Sequence, residues 1–320
     1  MKNSPSLNLG PNWSLATSLS SMARFGRVVT AMVTPFHKDG SLNLDGARRL
    51  AKWLQDNGND GLVVAGTTGE SPVLTDSEKL NLFEAVVGAV TIPVIAGTGS
   101  NDTAHSIHMT KEASKLGVAG ILAVTPYYNR PSQAGIEAHM RAVCESTDLP
   151  VVLYDIPART GRKISTALLL KLAREVKNVV AVKDAAGSPS ESAVLMSQAP
   201  AGFELYSGDD IFTLPFMSIG ATGVIGVATH WCAQDHQEMF NLWEEGDTAG
   251  ARRVNARLLE SFMYETGDDN PNPLPSKVMM NLLGLEVGEA RLPMGPPPAG
   301  LEDRAKKVLE NLRAARAASN

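Results

Sequence analysis

Gly223-Val224-Ile225-Gly226-Val227 is a short apolar run rich in Val and Ile, and it is the eighth such run along the chain. The seven before it are Val28 to Val33, Gly61 to Ala65, Pro93 to Ala96, Gly120 to Val124, Pro150 to Tyr154, Val179 to Val182 and Glu204 to Tyr206. Amphipathic segments separate them, and spacings of roughly 20 to 35 residues leave room for one helix between neighbours, the rhythm of repeated βα units. Right-handed crossovers curl the parallel strands of such units together, and eight of them predict a closed (β/α)8 TIM barrel of the α/β class. The competing arrangement, an open doubly wound sheet, usually announces a dinucleotide site by GxGxxG after an early strand. The nearest match here, Gly97-Thr98-Gly99-Ser100-Asn101-Asp102, lacks the third glycine, so the barrel is the expected fold.

Helix signals fall where the barrel needs them. Thr75-Asp76-Ser77-Glu78 is a capping-box pattern leading into Leu80, Leu82 and Phe83. After about Gly246 the βα rhythm stops, and helical segments are expected over 248–265, 275–283 and 301–318, interrupted by Asp268 to Pro275 and by Pro296 to Pro298. The expected organisation is therefore a catalytic barrel over residues 27–246 and a small all-helical C-terminal domain over 247–320. Residues 1–26 are rich in Ser and Asn, contain no Asp or Glu and lack the continuous apolar core of a secretory signal, which reads as a disordered extension. An organelle transit peptide is the alternative reading, and Met22 an alternative start.

A net charge of -5 without a long run of Lys and Arg offers no footprint for a nucleic acid. Apolar stretches such as Gly220 to Ala228 fall well short of the roughly 18 residues a membrane span requires, so a soluble protein is expected. Cys144 and Cys232 are far apart and lack CxxC or Cys/His spacing, which argues against a disulfide framework or a zinc site and fits a reducing cytoplasm.

In such a barrel the chemistry sits where strands end. The sixth run ends Val182-Lys183-Asp184, and no other lysine closes a strand run in this way. A lysine among apolar groups loses part of its preference for the charged form, and the neutral amine can condense with a ketone. The plainer readings of Lys183 are a side chain that snorkels to solvent or pairs with Asp184. The fifth run ends at Tyr154, with Arg159 just beyond; a phenol there can shuttle protons and a guanidinium can hold a carboxylate bidentately, unless the tyrosine merely fills a barrel layer and the arginine is a surface residue. Gly66-Thr67-Thr68-Gly69 is either a cradle for a small carboxylate or a tight turn. Tyr127 and Tyr128 on the loop after the fourth run suit either an interface or stacking within the loop. His105 and His108 share a helix face without a carboxylate pattern, which reads as a solvated face, and no metal is expected. Neither GxSxG nor a Walker sequence occurs.

Taken together, Gly66-Thr67-Thr68-Gly69-Glu70-Ser71, Pro126-Tyr127-Tyr128-Asn129-Arg130-Pro131, Tyr154-Asp155-Ile156-Pro157-Ala158-Arg159-Thr160-Gly161, Val182-Lys183-Asp184 and Ser207-Gly208-Asp209-Asp210 resemble the dihydrodipicolinate synthase family. The likeness runs from Val28 to the C-terminus and includes Pro271-Asn272-Pro273-Leu274-Pro275-Ser276-Lys277 and Leu292-Pro293-Met294. It implies condensation of pyruvate with L-aspartate 4-semialdehyde to give 4-hydroxy-tetrahydrodipicolinate, on the way to diaminopimelate and lysine. It further implies that Lys183 forms the Schiff base, with Tyr154 relaying protons in a chain with Thr68 and with Tyr128 from a neighbouring subunit. Thr67, Thr68 and the backbone near Ile225 would hold the pyruvate carboxylate, Gly208 would line the pocket, and Arg159 would bind the carboxylate of the semialdehyde. No metal or nucleotide cofactor is implied, and a shared site implies a homo-oligomer, a dimer of dimers in the family.

Similar sialic-acid lyases and sugar-acid aldolases share the lysine and tyrosine but generally lack the arginine, so Arg159 separates this branch from them. A catalytically silent barrel used as a scaffold requires loss of a catalytic residue, and none is missing. Two departures stand out. Where feedback-inhibited members carry two histidines and a glutamate for binding lysine, this chain has Asp76, Lys79 and His105, which implies weak or absent inhibition. Thr229-His230-Trp231 stands where many members have a shorter or amidic residue after the eighth strand, a change that bears on packing more than on chemistry and leaves its consequence open.

Overall fold

The computed structural model describes residues 23–319. Most of the extension expected to be disordered therefore lies outside the described residues. Eight parallel strands close into one barrel in chain order: β1 (Val28–Ala31), β2 (Gly61–Val64), β3 (Val94–Gly97), β4 (Gly120–Val124), β5 (Val151–Asp155), β6 (Val179–Asp184), β7 (Glu204–Ser207) and β8 (Gly223–Gly226). The ring closes where Val28 and Val29 of β1 stand beside Val224 and Ile225 of β8. Between and after the strands run α1 (Leu44–Asp56), α2 (Asp76–Val87), α3 (Thr103–Ala113), α4 (Gln133–Cys144), α5 (Pro157–Thr160), α6 (Thr166–Glu175), α7 (Pro189–Gln198), α8 (Thr213–Met217) and α9 (Thr229–Glu244), followed by α10 (Thr248–Tyr264), α11 (Leu274–Leu282) and α12 (Leu301–Ser319). The capping box read at Thr75 is present: its hydroxyl accepts from the Glu78 amide, and the Glu78 carboxylate accepts from the Thr75 amide.

The strands are predominantly apolar because both faces are covered. Val29, Val63, Ile95, Leu122, Val152 and Ile225 fill the lumen, while their neighbours Val28, Leu62, Val94, Ile121, Val151 and Val224 pack under the helices. Strand β6 breaks this alternation. Val179 faces the helices, yet Val180 and Ala181 both face the lumen, because the register slips so that Val151 pairs with Val179 but Val152 with Ala181. That bulge re-phases the strand, and from Ala181 onward the odd positions look inward. Lys183 consequently enters the lumen as a member of the strand, which runs two residues past the end read from the sequence.

Residues on the N-terminal side of the 26/27 boundary also pack into the fold. Phe25 is 1% exposed and belongs to the lumen cluster, and the Arg24 amide donates to Glu204 Oε1 at 2.8 Å. A Cβ on Gly120 would sit 2.7 Å from the Phe25 ring, so glycine is what admits this plug at the N-terminal end of the barrel. At the other end of the chain, α12 is tied back to α9 where Arg316 Nε donates to Asp235 Oδ1 at 3.1 Å and Arg257 lies 2.9 Å from the same oxygen. No helix among the described residues is long and apolar enough to cross a membrane.

Candidate active site

Tyr154 and Lys183 are register partners on β5 and β6, so both side chains project to the same side of the sheet, into the mouth of the lumen. The Lys183 nitrogen stands 4.3 Å from the centre of the Tyr154 ring, and the two side chains are 4% and 3% exposed. They share a cavity of about 500 Å³ with Thr67, Thr68, Arg159 and Gly208. A smaller cavity of about 210 Å³ shares Thr67, Tyr154 and Arg159 with it and is also lined by Tyr127.

The residues that follow each member of the pair face the other way. Asp155 and Asp184 are again register partners, and they hold loops in place. Asp155 Oδ1 accepts from the Ile164 amide at 3.1 Å, closing the loop that carries α5 and Arg159. Asp184 accepts from the Ala186 amide at 2.8 Å and from the Ser192 hydroxyl at 2.5 Å, fixing the start of α7. The short helix bearing Arg159 stops at Gly161, whose φ of 70° is left-handed.

The loop after β2 is clamped from the distant C-terminal segment. Glu70 has a φ of 57° and is 3% exposed; its carboxylate lies 2.8 Å from Lys277 Nζ and accepts from the Arg291 amide at 2.9 Å. Asn272 Nδ2 donates to the Thr68 hydroxyl at 2.9 Å. The paired hydroxyls are thus held by chain more than 200 residues away, as the Asn272–Thr68 separation of 204 shows.

Burial sets the electrostatics. It pulls Lys183 down to a pKa of about 8, against the pull of Asp210, Asp209 and Glu265 in the other direction. It pushes Tyr154 up to about 12, an effect reduced by hydrogen bonding with Thr67 and by the charge of Arg159. At neutral pH the pair is therefore a protonated phenol beside an amine that carries far more of its free form than an ordinary lysine. Burial likewise raises Asp155 to about 7.

Of the residues singled out in the sequence, Lys183, Tyr154, Thr67, Thr68, Arg159 and Gly208 come together around the larger cavity. In this chain Tyr154 feels hydrogen bonding with Thr67, while the Thr68 hydroxyl accepts from Asn272 Nδ2 at 2.9 Å, so both hydroxyls expected to serve the site stand at the cavity. Ile225 lies in the lumen core, and the cavity wall beyond β8 is made by Val227. Tyr128 does not reach the cavity of its own chain: it is 89% exposed with a left-handed φ of 71°. His105 is not merely solvated, since its Nε2 lies 2.8 Å from Asp76 Oδ1 and its Nδ1 3.2 Å from the Ser100 hydroxyl. His230 is a packing residue: it is 1% exposed, burial lowers its pKa to about 4, and the neutral ring accepts from the Val33 amide at 3.1 Å.

Asn272, Asp209 and Glu265 also line the cavity and were assigned no role from the sequence. Asn272 stood inside a motif, and its buried Oδ1 has no hydrogen-bond partner among the described residues. Glu265 caps α10, and no local pattern marks it as bound for the barrel mouth.

Comparison with known proteins places this geometry in context. The sequence model of the Dihydrodipicolinate synthetase family matches residues 24–312. A 4-hydroxy-tetrahydrodipicolinate synthase of Moorella thermoacetica is 50% identical over 275 residues, covering 85% of this chain and 92% of that one. One of Desulforamulus reducens is 47% identical over 292 residues, covering 90% and 97%. The solved structure of DHDPS from Cyanidioschyzon merolae with lysine bound superposes with a TM-score of 0.88 at 41% identity, over 91% of this chain and 99% of that one.

Proposed function

The chain belongs to the dihydrodipicolinate synthetase family, and from that premise we propose that Lys183 forms an imine with pyruvate and that the derived enamine attacks L-aspartate 4-semialdehyde. The product is 4-hydroxy-tetrahydrodipicolinate, as the names of the relatives require, and the chain is an enzyme of the Schiff-base lyase type serving lysine and diaminopimelate biosynthesis. The observation that carries the residue assignment is the register pairing of a buried lysine with a buried tyrosine, 4.3 Å from nitrogen to ring centre, at the mouth of the barrel.

The steps follow from the groups present. The free amine of Lys183 adds to the keto carbon; the Tyr154 phenol gives the proton with which the former carbonyl oxygen departs as water, leaving a protonated imine. Thr67, bonded to Tyr154, passes protons onward, and Thr67 and Thr68 receive the pyruvate carboxylate. The Tyr154 phenolate takes a methyl proton to give the enamine, whose carbon attacks the aldehyde as the phenol returns that proton to the oxygen formed, while Arg159, lining the cavity, holds the second carboxylate. Attack of the product's own amine on the imine carbon then returns Lys183. A cavity of about 500 Å³ accommodates both acids at once. No residue in this scheme calls for a metal or nucleotide.

Tyr128 completes the site of a neighbouring subunit in this reading. An aromatic side chain left 89% exposed in a left-handed backbone conformation is supported by a partner more readily than by water. A homo-oligomer follows, with a dimer of dimers the assembly we favour. The sugar-acid lyase alternative finds no support in the relatives, and Arg159 at the cavity mouth fits a carboxylate-bearing aldehyde.

The test is borohydride reduction in the presence of pyruvate. One peptide, that containing Lys183, is expected to gain the mass of pyruvic acid less one oxygen, the net of losing water on condensation and gaining two hydrogens on reduction. Modification elsewhere, or none, sinks the assignment. A second expectation concerns regulation: the one carboxylate at this position, Asp76, is already engaged by His105 at 2.8 Å and by the charge of Lys79, and a histidine stands where the amino group of a lysine ligand would need a free carboxylate. Inhibition by L-lysine is expected only above about a millimolar, and a tighter constant in a steady-state assay would remove that expectation.

A further inference from the structure

Behind Lys183, two successive amides at the end of β8 serve two different buried carboxylates. The Val227 amide donates to Asp210 Oδ2 at 2.7 Å, and the Ala228 amide donates to Glu265 Oε2 at 2.8 Å. Asp210 is 0% exposed and Glu265 4%. The space is built for them: a Cβ on Gly226 would lie 2.5 Å from Asp210 Oδ1. Asp210 comes from the turn after β7 and Glu265 from the end of α10, so two remote pieces of chain converge on one dipeptide.

Neither carboxylate pairs with a lysine or arginine among the described residues. The titratable groups facing them are Lys183 from β6, Asp209 from the same turn as Asp210, and His236, His230 and Cys232 from α9. His236 Nε2 stands 3.3 Å from Asp210 Oδ1 without the alignment of a hydrogen bond, while its Nδ1 lies 3.0 Å from the Cys232 carbonyl. His230 is neutral, and burial raises both Asp209 and Cys232. Two full negative charges on adjacent amides in a buried site repel strongly, and such carboxyl pairs retain a proton. The split is uneven. Burial and the neighbouring Asp210 drive Glu265 well above the ordinary carboxylate range; burial raises Asp210 too, but the proximity of His236, the Val227 amide and the carboxyl of Glu265 together outweigh it and hold Asp210 low.

We propose that Asp210 and Glu265 keep one proton between them and act toward the nitrogen of Lys183 as a single negative charge, with Glu265 a positioning residue that works through Asp210. The inference rests on the reading of Lys183 as the imine-forming lysine. One negative charge balances a protonated imine; two would hold the amine as ammonium and starve the first step of nucleophile. The retained proton sets the counter-charge to one.

The experiment is the pH dependence of imine formation with pyruvate, quenched with borohydride and read as modified Lys183 peptide, in the full-length wild type, E265Q, D210N and D210N/E265Q. Glutamine replaces a protonated acid, so E265Q is expected to leave the midpoint within about 0.3 pH unit. In D210N the remaining Glu265 ionises and the midpoint again stays near its wild-type position. Only the double variant loses the charge, and its midpoint is expected to fall by about one unit or more. Drops of similar size in both single variants that add in the double overturn the shared proton. If D210N does not fold, E265Q decides alone: a midpoint lowered by about one unit means that Glu265 was ionised and the proposal fails. Absence of any wild-type adduct at Lys183 removes the underlying reading as well, an outcome distinct from an additive pattern.

Discussion

Replacing Lys183 with alanine is expected to abolish pyruvate attachment and to lower turnover by a factor on the order of 10⁴ or more, the scale on which loss of a covalent nucleophile acts. Lysine depression alone does not single this residue out, because burial also lowers Lys277 to about 8. What differs is how each nitrogen is occupied. Lys277 Nζ lies 2.8 Å from Glu70, donates to the Glu289 carbonyl at 2.8 Å and stands 4.2 Å from the centre of the Phe36 ring, so its donors are spent on the clamp that holds the Thr67-Thr68 loop. Lys183 has no ion pair among the described residues and opens onto the cavity. Lys277→Met is therefore expected to lose stability, because it strands a buried carboxylate, while pyruvate attachment at Lys183 persists in whatever protein folds. Mass spectrometry after borohydride, with thermal unfolding alongside, separates the two. An adduct of undiminished yield in Lys183→Ala would mean that another amine does the chemistry.

The barrel was legible because its strands are buried on both faces and so read as apolar runs wherever they occur, from Val28 to Ile225. The lysine and tyrosine were legible for the same reason: a polar residue at the end of such a run is conspicuous. What escaped depended on parity, distance or partners. The bulge at Val180 and Ala181 changes which residues of β6 face inward, and nothing in Val179-Val180-Ala181-Val182 distinguishes a bulged run from a regular one. Phe25 precedes the first strand and looks like the end of a tail, yet it fills the lumen floor because Gly120 leaves room. Adjacent hydroxyls at Thr67 and Thr68 are equivalent in sequence; the left-handed turn at Ala65 and Glu70, locked by Lys277 and Arg291, decides which one meets Tyr154. Glu265 reaches the site from a helix whose placement is set by packing on α9, so only three-dimensional structure brings it to Ala228.

Tyr154→Phe tests the other half of the pair, and its expected signature differs in kind. The ring remains, so the contact with Lys183 and the packing of the lumen are kept, and thermal stability should move little. The phenol proton is lost, and rates of imine formation and of turnover are expected to fall by about 10²- to 10⁴-fold, the range for removal of a general acid–base group. The final yield of borohydride-trapped adduct should nevertheless reach the wild-type level when the reaction is given time, because the nucleophile is intact. The pH dependence makes the division of labour visible. Lys183 must lose a proton to attack, so the rate rises with pH through its value of about 8; Tyr154, pushed to about 12, stays protonated across that rise and can still donate on its upper side. Removing the phenol should therefore lower the plateau while leaving the ascending limb near the same pH. A fall of less than about threefold would take Tyr154 out of the proton path. An unchanged plateau with a displaced limb would instead make it a residue that only adjusts the charge of its neighbour.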